Sequence, residues 1–284
     1  MQDKIVMVTG GTAGIGLVTA REIASKGATV ILVGRDETRG ERAAADIRKR
    51  TGNAWVSFKR ADLSSQAEVR RLARDFVEAH PQLDVLVNNA GAIFTERRLS
   101  ADGIEMTLAL NHLSYFLLTH LLLDRLTAAP AGRIVNVASR AHEGAALDFD
   151  DLQGERNFTG WRAYQRSKLM NIMFTYALAR RLAGGTVTAN ALHPGFVASS
   201  FGMNNGALFR IGLRIAMTVG GISVDRGAET PVFLATSPEC ANVSGRYFVK
   251  SKPVTSSRAS LDETAQERLW QESLRMTGLR DATG

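Results

Sequence analysis

Only one cysteine, Cys240, occurs among the 284 residues. No intrachain disulfide can form, and a reducing cytoplasm is the expected setting. The sequence also lacks an apolar run long and charge-free enough to cross a bilayer, so no transmembrane segment is expected. Met1-Gln2-Asp3-Lys4 leads straight into an apolar strand without the layout of a signal peptide. No internal repeat, linker or metal site is expected, and residues 1–284 read as one domain. At 45% apolar residues the chain can bury a large core. The net charge of +7 raises the question of nucleic acid. Basic and acidic residues are interspersed, however, and pairs such as Arg70-Arg71 and Arg180-Arg181 fall on amphipathic helices. Solvated helix faces account for them, and no nucleic-acid partner is expected.

What is present centres on Tyr164-Gln165-Arg166-Ser167-Lys168, inside a helical pattern from about Trp161 to Leu182. Residues four apart share a helix face, so a phenol and an ammonium stand side by side. A phenol with a pKa near 10 shuttles protons poorly at neutral pH, and a neighbouring cation is expected to bring it down. Alone the pair is a weak signal that an ordinary helix surface would also carry.

The rest of the chain supplies what the pair would need. Lys4–Thr9 is a short apolar strand, followed by Gly10-Gly11-Thr12-Ala13-Gly14-Ile15-Gly16 and a helical pattern through Ser25. Strand, glycine turn and helix in that order suit a pyrophosphate on the helix N-terminus, with Gly10 and Gly14 at the close approach and Gly16 at the helix–sheet contact. A second buried strand, Ala28–Val33, ends at Gly34-Arg35-Asp36. A carboxylate at that tip would accept from a ribose 2′-hydroxyl. Gly34 stands there instead, and the Arg35 guanidinium suits a 2′-phosphate. Asp36 is expected to face solvent and cap the helix that starts near Glu37. NADP(H) is therefore expected over NAD(H). A third strand, Ala54–Lys59, leads to Ala61-Asp62-Leu63, where Asp62 fits an adenine edge and a helix cap equally well. A fourth, Leu83–Val87, ends in Asn88-Asn89-Ala90-Gly91, two amides able to tie strand ends and two small residues beside them. A long helix, about Gly103 to Leu126, carries Asn111 in an apolar setting. It marks either a kink beside a site or a satisfied core amide. His112 and His120 read as structural. The fifth strand, Gly132–Ser139, places a hydroxyl at its carboxyl end, where ligands of doubly wound sheets lie. A sixth, Thr186–Leu192, ends in His193-Pro194-Gly195. The stretch Phe196 to Ile222 breaks the alternation. A helix over Asp225–Thr236, a last short strand around Arg246–Val249 and a helix over Asp262–Met276 follow. Alternating strands and helices predict an α/β fold, a doubly wound parallel sheet with helices on both faces.

Thr9-Gly10-x-x-x-Gly14-Ile15-Gly16, Asn88-Asn89-Ala90-Gly91, Asn111, Ser139, Tyr164-x-x-x-Lys168 and Pro194-Gly195, in this order, resemble the short-chain dehydrogenase/reductase family over essentially the whole chain. Asn111-His112-Leu113, Ala141-His142, Leu192-His193-Pro194-Gly195 and Glu267-Arg268-Leu269-Trp270 are similar to its retinol-dehydrogenase-like branch. The resemblance implies a Rossmann-type domain and hydride transfer between a nicotinamide and an apolar aldehyde, ketone or alcohol. It implies Tyr164 as general acid/base and Lys168 as the group that lowers its pKa and binds the nicotinamide ribose. Ser139 would polarise the carbonyl, and Asn111 would hold a relay water. Cofactor contacts are implied at Gly10, Thr12, Gly14, Ile15, Gly16, Arg35, Asp62, Leu63, Asn89, Ala90, Gly91, Tyr164, Lys168, Pro194, Gly195, Val197 and Ser199.

Residues 196–222 combine glycines with Phe and Met, and a mobile substrate-covering lid is one reading of them. A packed helical excursion is the other. The basic apolar piece Leu208–Thr218 is of the kind that touches a membrane surface, and a homo-oligomer is compatible with the sequence. The competing functions are a non-catalytic cofactor sensor and an epimerase or dehydratase that retains its nicotinamide. Tyr164 and Lys168 are both present, which argues against the sensor. The relatives of the second kind usually carry a larger C-terminal substrate domain, whereas 90 residues (284 − 194) follow Pro194.

Overall fold

The structure, a computed structural model, describes residues 1–197 and 221–280. β1 (Ile5–Thr9) is an apolar pentapeptide buried from Val6 onward. It lies at the middle of the sheet, parallel to β2 (Thr29–Gly34) on one side and β4 (Val85–Asn88) on the other. β3 (Val56–Arg60), β5 (Arg133–Val137), β6 (Thr188–His193), β7 (Tyr247–Val249) and β8 (Lys252–Val254) complete the order β3-β2-β1-β4-β5-β6-β7-β8. Strands β1 to β7 run parallel, as the alternation predicts, and β8 turns back antiparallel on β7. The order reverses between β1 and β4, which opens a crevice at the carboxyl ends of those strands.

Successive strand residues point to opposite faces, and each face has its own core. Met7, Ile31, Leu86 and Ile134 pack under α3 (Gln66–Ala79), α5 (Gly160–Arg181) and the broken helix α4 (residues 106–127). Val6, Val8, Val30, Leu32, Val85 and Val87 pack under α1 (Gly14–Ala24), α2 (Glu37–Thr51) and α6 (Val224–Thr236). The last helix, α7 (Glu263–Thr277), begins at an Asp262 cap and ends at left-handed Gly278. Its Trp270 is buried against Phe116 and Phe174, with the Arg181 guanidinium 3.9 Å from its ring.

The structure differs from the sequence reading at several element ends, and at three points the reason lies in identifiable residues. The predicted helix over 103–126 is α4, four pieces that begin at Met106: Met106–Leu108, a π turn at Ala109–Leu113, Ser114–Leu121 and Leu123–Thr127. The buried Glu105 carboxylate caps its start by accepting from the Thr107 and Leu108 amides. β3 begins at Val56 rather than Ala54, because the Asn53 side chain binds the Ala24 and Ala28 carbonyls and the Trp55 amide. β8 was not expected: Lys250 and Ser251 both adopt positive φ and reverse the chain after β7. Among the described residues no helix is long and apolar enough to cross a membrane.

Candidate active site

The glycine turn sits at the switch point. Gly10 and Gly14 have φ of +63° and +53°, the left-handed region that glycine enters without penalty. A Cβ on Gly10 would stand 2.9 Å from the Ala90 Cα. One on Gly16 would collide with the Gly10 carbonyl and the Asn89 amide. The start of α1 is thereby laid directly on the strand ends. Gly16→Ala is expected to lower stability by about 1–3 kcal/mol and to weaken dinucleotide binding. Denaturant titration and reduced-cofactor fluorescence measure the two effects; an unchanged midpoint and affinity would contradict the tight turn.

The two asparagines after β4 divide the work. Asn89 donates its amide to the Thr9 carbonyl at 2.8 Å and the Gly10 carbonyl at 3.3 Å, while Thr9 Oγ1 accepts from the Asn89 and Ala90 amides. Asn88 donates to Thr119 and to Asn136, and Asn136 donates to Thr175. The crevice is thus tied to β1 by the half-buried Asn89, and to β5, α4 and α5 by the fully buried amides of Asn88 and Asn136. Gly91, next in the chain, leaves space in front of Asn111 Oδ1 and Lys168 Nζ, 3.3 and 3.5 Å from where its Cβ would be.

Asn111 lies inside the π turn of α4. Its Oδ1 accepts from the Ala92 amide at 2.9 Å, and its Nδ2 donates to the Ala92 carbonyl and to Ser167 Oγ. Both sequence readings hold: the helix is distorted there, and the buried amide is satisfied. The Asn111–Ser167 bond ties that distortion to α5 one residue before Lys168.

Ser139, Tyr164 and Lys168 converge. Ser139 caps a short 3₁₀ turn, Arg140–Gly144, by accepting from the Ala141 amide. Tyr164 is 9% exposed, and its hydroxyl is hydrogen-bonded to that of Ser139. Lys168, 3% exposed, donates to the Val137 carbonyl at 2.9 Å, with Nζ 5.7 Å from the Tyr164 ring centre. The expectation that Lys168 depresses the Tyr164 pKa is corrected here. Burial pushes the phenol up to about 12 against the opposing hydrogen bond from Ser139, and burial brings the ammonium down to about 7. Burial of the two groups outweighs the one hydrogen bond that opposes it at Tyr164. Tyr115, a second phenol buried 5.9 Å from Lys168 Nζ, was not singled out from the sequence; on a core helix it reads as apolar filling.

The remaining candidates fall around this centre. Arg35 is exposed at the tip of β2, and Asp36 caps α2 by accepting from the Arg39 amide, as expected. A Cβ on Gly34 would stand 2.9 Å from Thr12 Cγ2, so Thr12 covers the strand tip from the glycine turn. Asp62 neither caps α3, which Ser65 does, nor is it free: its Oδ1 holds the Ser64 amide and hydroxyl. Leu63 beside it is buried. Gly195 follows Pro194 with φ +95°. Val197 is bridged to Ile222 and packs over Gly227, where Ile15 also arrives. Ser199 and nearly all of the suggested lid lie outside the described residues. A cavity of about 1180 Å³ lined by Pro130, Thr186, Arg246, Val254 and Gln266 lies at the opposite ends of β5 and β6 and contains none of these candidates.

Comparison with known proteins agrees with this geometry. The family model for short chain dehydrogenases matches residues 4–207. Human retinol dehydrogenase 12 is 41% identical over 281 residues, covering 99% of this chain and 88% of that protein. Human retinol dehydrogenase 13 is 40% identical over 286 residues, covering 97% and 85%. Among solved structures, an uncharacterized protein from Mycobacterium paratuberculosis superposes with a TM-score of 0.79 at 32% identity, covering 98% of this chain and 95% of that one. A short chain dehydrogenase from Burkholderia cenocepacia in complex with NADP has a TM-score of 0.69 at 26% identity, covering 92% and 98%. With a phenol, a hydroxyl and an ammonium gathered beside a dinucleotide turn, this chain belongs to the short-chain dehydrogenase/reductase family, on its retinol-dehydrogenase-like branch, and is a nicotinamide-dependent hydride-transfer oxidoreductase.

Proposed function

We propose that the protein is an NADP(H)-dependent reductase/dehydrogenase for apolar aldehydes or ketones and the corresponding alcohols. The observation that carries this reading is the half-buried Ser139 hydroxyl paired with the buried Tyr164 hydroxyl, with Lys168 behind it. The residues fit the dinucleotide: Gly10 and Gly16 let the turn lie directly on Asn89 and Ala90 at the strand ends, and Gly91 leaves Asn111 and Lys168 open to the crevice. When bound, the nicotinamide supplies or accepts the hydride. Tyr164 moves the proton to or from the substrate oxygen. Ser139 donates a hydrogen bond to that oxygen as charge develops on it. Lys168 holds the ribose. Asn111 fixes the Ala92 backbone against α5 and keeps Lys168 in register.

The apolar substrate class rests on the rim. Trp161 is 56% exposed with its ring 5.8 Å from that of Tyr164, and Phe196 is 46% exposed just after Gly195. Water is a poor partner for either ring, and an apolar substrate would cover them. The relatives named for retinol, an apolar alcohol, agree with this.

The cofactor preference rests on Arg35 and Gly34. An exposed guanidinium at the strand tip, with Asp36 turned to its helix cap, offers a charge-assisted contact to a 2′-phosphate. Such a bond is worth about 1.5–3 kcal/mol, or roughly ten- to a hundredfold in affinity. Arg35→Ala is expected to erase most of the preference. Gly34→Asp is expected to reverse it, with Thr12 shifting to admit the new side chain. Dissociation constants of NADPH and NADH, read by reduced-cofactor fluorescence, decide the matter; tighter NADH binding by the unmodified protein would contradict this assignment.

A further inference from the structure

One peptide group beside the site is held at both ends by histidines. The Ser139 carbonyl accepts from His142 Nδ1 at 2.7 Å, and the next amide, Arg140 N–H, donates to His193 Nδ1 at 3.2 Å. A carbonyl only accepts and a backbone N–H only donates, so the partners dictate where each imidazole carries its proton. His142 is protonated on Nδ1. Its Nε2 is bare, because it accepts from the Ser257 amide at 3.1 Å. His193 is bare on Nδ1 and carries its proton on Nε2. The two rings are therefore neutral and of opposite tautomer.

We infer that His142 and His193 are positioning residues for Ser139: together they fix the Ser139–Arg140 peptide, and with it the direction in which the Ser139 hydroxyl meets Tyr164. This rests on the function proposed above, in which Ser139 touches the substrate oxygen. His142 is fully buried, edge-on to Tyr247 at 5.0 Å, and spans from the Ser139 carbonyl to Ser257, the residue before the 3₁₀ turn Arg258–Leu261. That segment is itself anchored, since Ser256 Oγ meets the Tyr176 hydroxyl of α5 at 2.7 Å and Ser260 Oγ at 2.7 Å. His193 ends β6, the neighbour of β5, so the clamp joins two strand ends and the C-terminal segment at one peptide. The surroundings keep both rings neutral. Burial lowers the pKa of each, that of His193 to about 4; at His142 the Ser139 carbonyl and then Glu143 oppose burial ahead of Arg140, and at His193 Arg140 adds to burial ahead of the opposing Glu143.

Nitrogen-15 spectra of the imidazoles of the intact protein near neutral pH test the tautomers directly, each signal assigned by its loss in a His142→Asn or His193→Asn variant. The expected result is Nδ1–H for His142 and Nε2–H for His193. A shared tautomer, or a charged ring, would overturn the clamp. Kinetics test the consequence. His193→Leu is expected to lower kcat roughly ten- to a hundredfold, the scale of a misplaced group, with the NADPH dissociation constant unchanged. His193→Asn, whose amide oxygen accepts from the Arg140 N–H, is expected to recover most of that loss. In a Ser139→Ala background His193→Leu should cost nothing further, because both changes remove one interaction. Equal, additive losses in the two backgrounds would make His193 a merely structural residue and overturn the inference. Absence of turnover by the unmodified protein across a panel of carbonyls would instead contradict the functional reading, leaving the tautomers to be judged on their own.

Discussion

Tyr164→Phe is expected to reduce turnover by about 10²–10⁴-fold, the range for loss of a general acid–base group, while cofactor affinity and melting temperature stay close to those of the unmodified protein. The substitution removes one oxygen and keeps a ring that is 9% exposed and packed beside Trp161 and Lys168. The loss falls on the proton. With its pKa pushed up to about 12 by burial, the phenol of the free enzyme stays protonated through neutral pH and is ready to donate to a substrate oxygen. The Ser139 hydroxyl, bonded to it, aligns the donor. Steady-state rates with an apolar aldehyde and NADPH measure the effect, and near-normal turnover by Tyr164→Phe would remove Tyr164 from the chemistry.

Lys168→Met is expected to do two opposite things: abolish most turnover and raise the stability of the cofactor-free protein. An ammonium 3% exposed, with one carbonyl partner, is costly to enclose. Its pKa in the folded protein, about 7, lies below the ordinary 10.5. Between those values the unfolded chain binds more protons, so stability rises with pH across that window and the penalty is largest at and below neutral pH. At about 1.4 kcal/mol per pH unit the penalty near pH 7 is on the order of 4 kcal/mol. Leaving the Val137 carbonyl without its donor costs about 1–3 kcal/mol. Burial of the charge is the larger of the two. The variant should therefore melt several degrees higher at neutral pH, with the gap closing as the pH approaches the ordinary lysine value. A lower melting temperature at neutral pH would show that Lys168 is not held at that cost.

The sequence made most of the frame legible because the frame depends on local pattern. Short apolar runs gave every parallel strand, and the Tyr164–Lys168 spacing needed only the helix that carries it. The glycine turn was legible for the same reason: strand, turn and helix adjoin in the chain. What escaped depends on contacts between distant residues. β8 follows from two positive φ angles at Lys250 and Ser251, positions with no glycine to announce them. The start of β3 is set by the Asn53 side chain reaching back to Ala24 and Ala28. His142 and His193 matched a family pattern, but their work is done on backbone groups up to 115 residues away, and backbone groups leave no mark in a sequence. The balance between desolvation and attraction at Tyr164 and Lys168 was likewise unreadable, since the spacing shows the pair and says nothing of how completely it is enclosed.

Isotope transfer tests the central claim most directly. The unmodified protein would be incubated with an apolar aldehyde and NADPH carrying deuterium at its hydride-donating carbon, and the product alcohol weighed by mass spectrometry. Deuterium should appear on the carbinol carbon with NADPH, more slowly with the corresponding NADH, and at a rate lower by at least about a hundredfold in Tyr164→Phe. Alcohol free of deuterium, or equal transfer with and without the Tyr164 hydroxyl, would contradict the account.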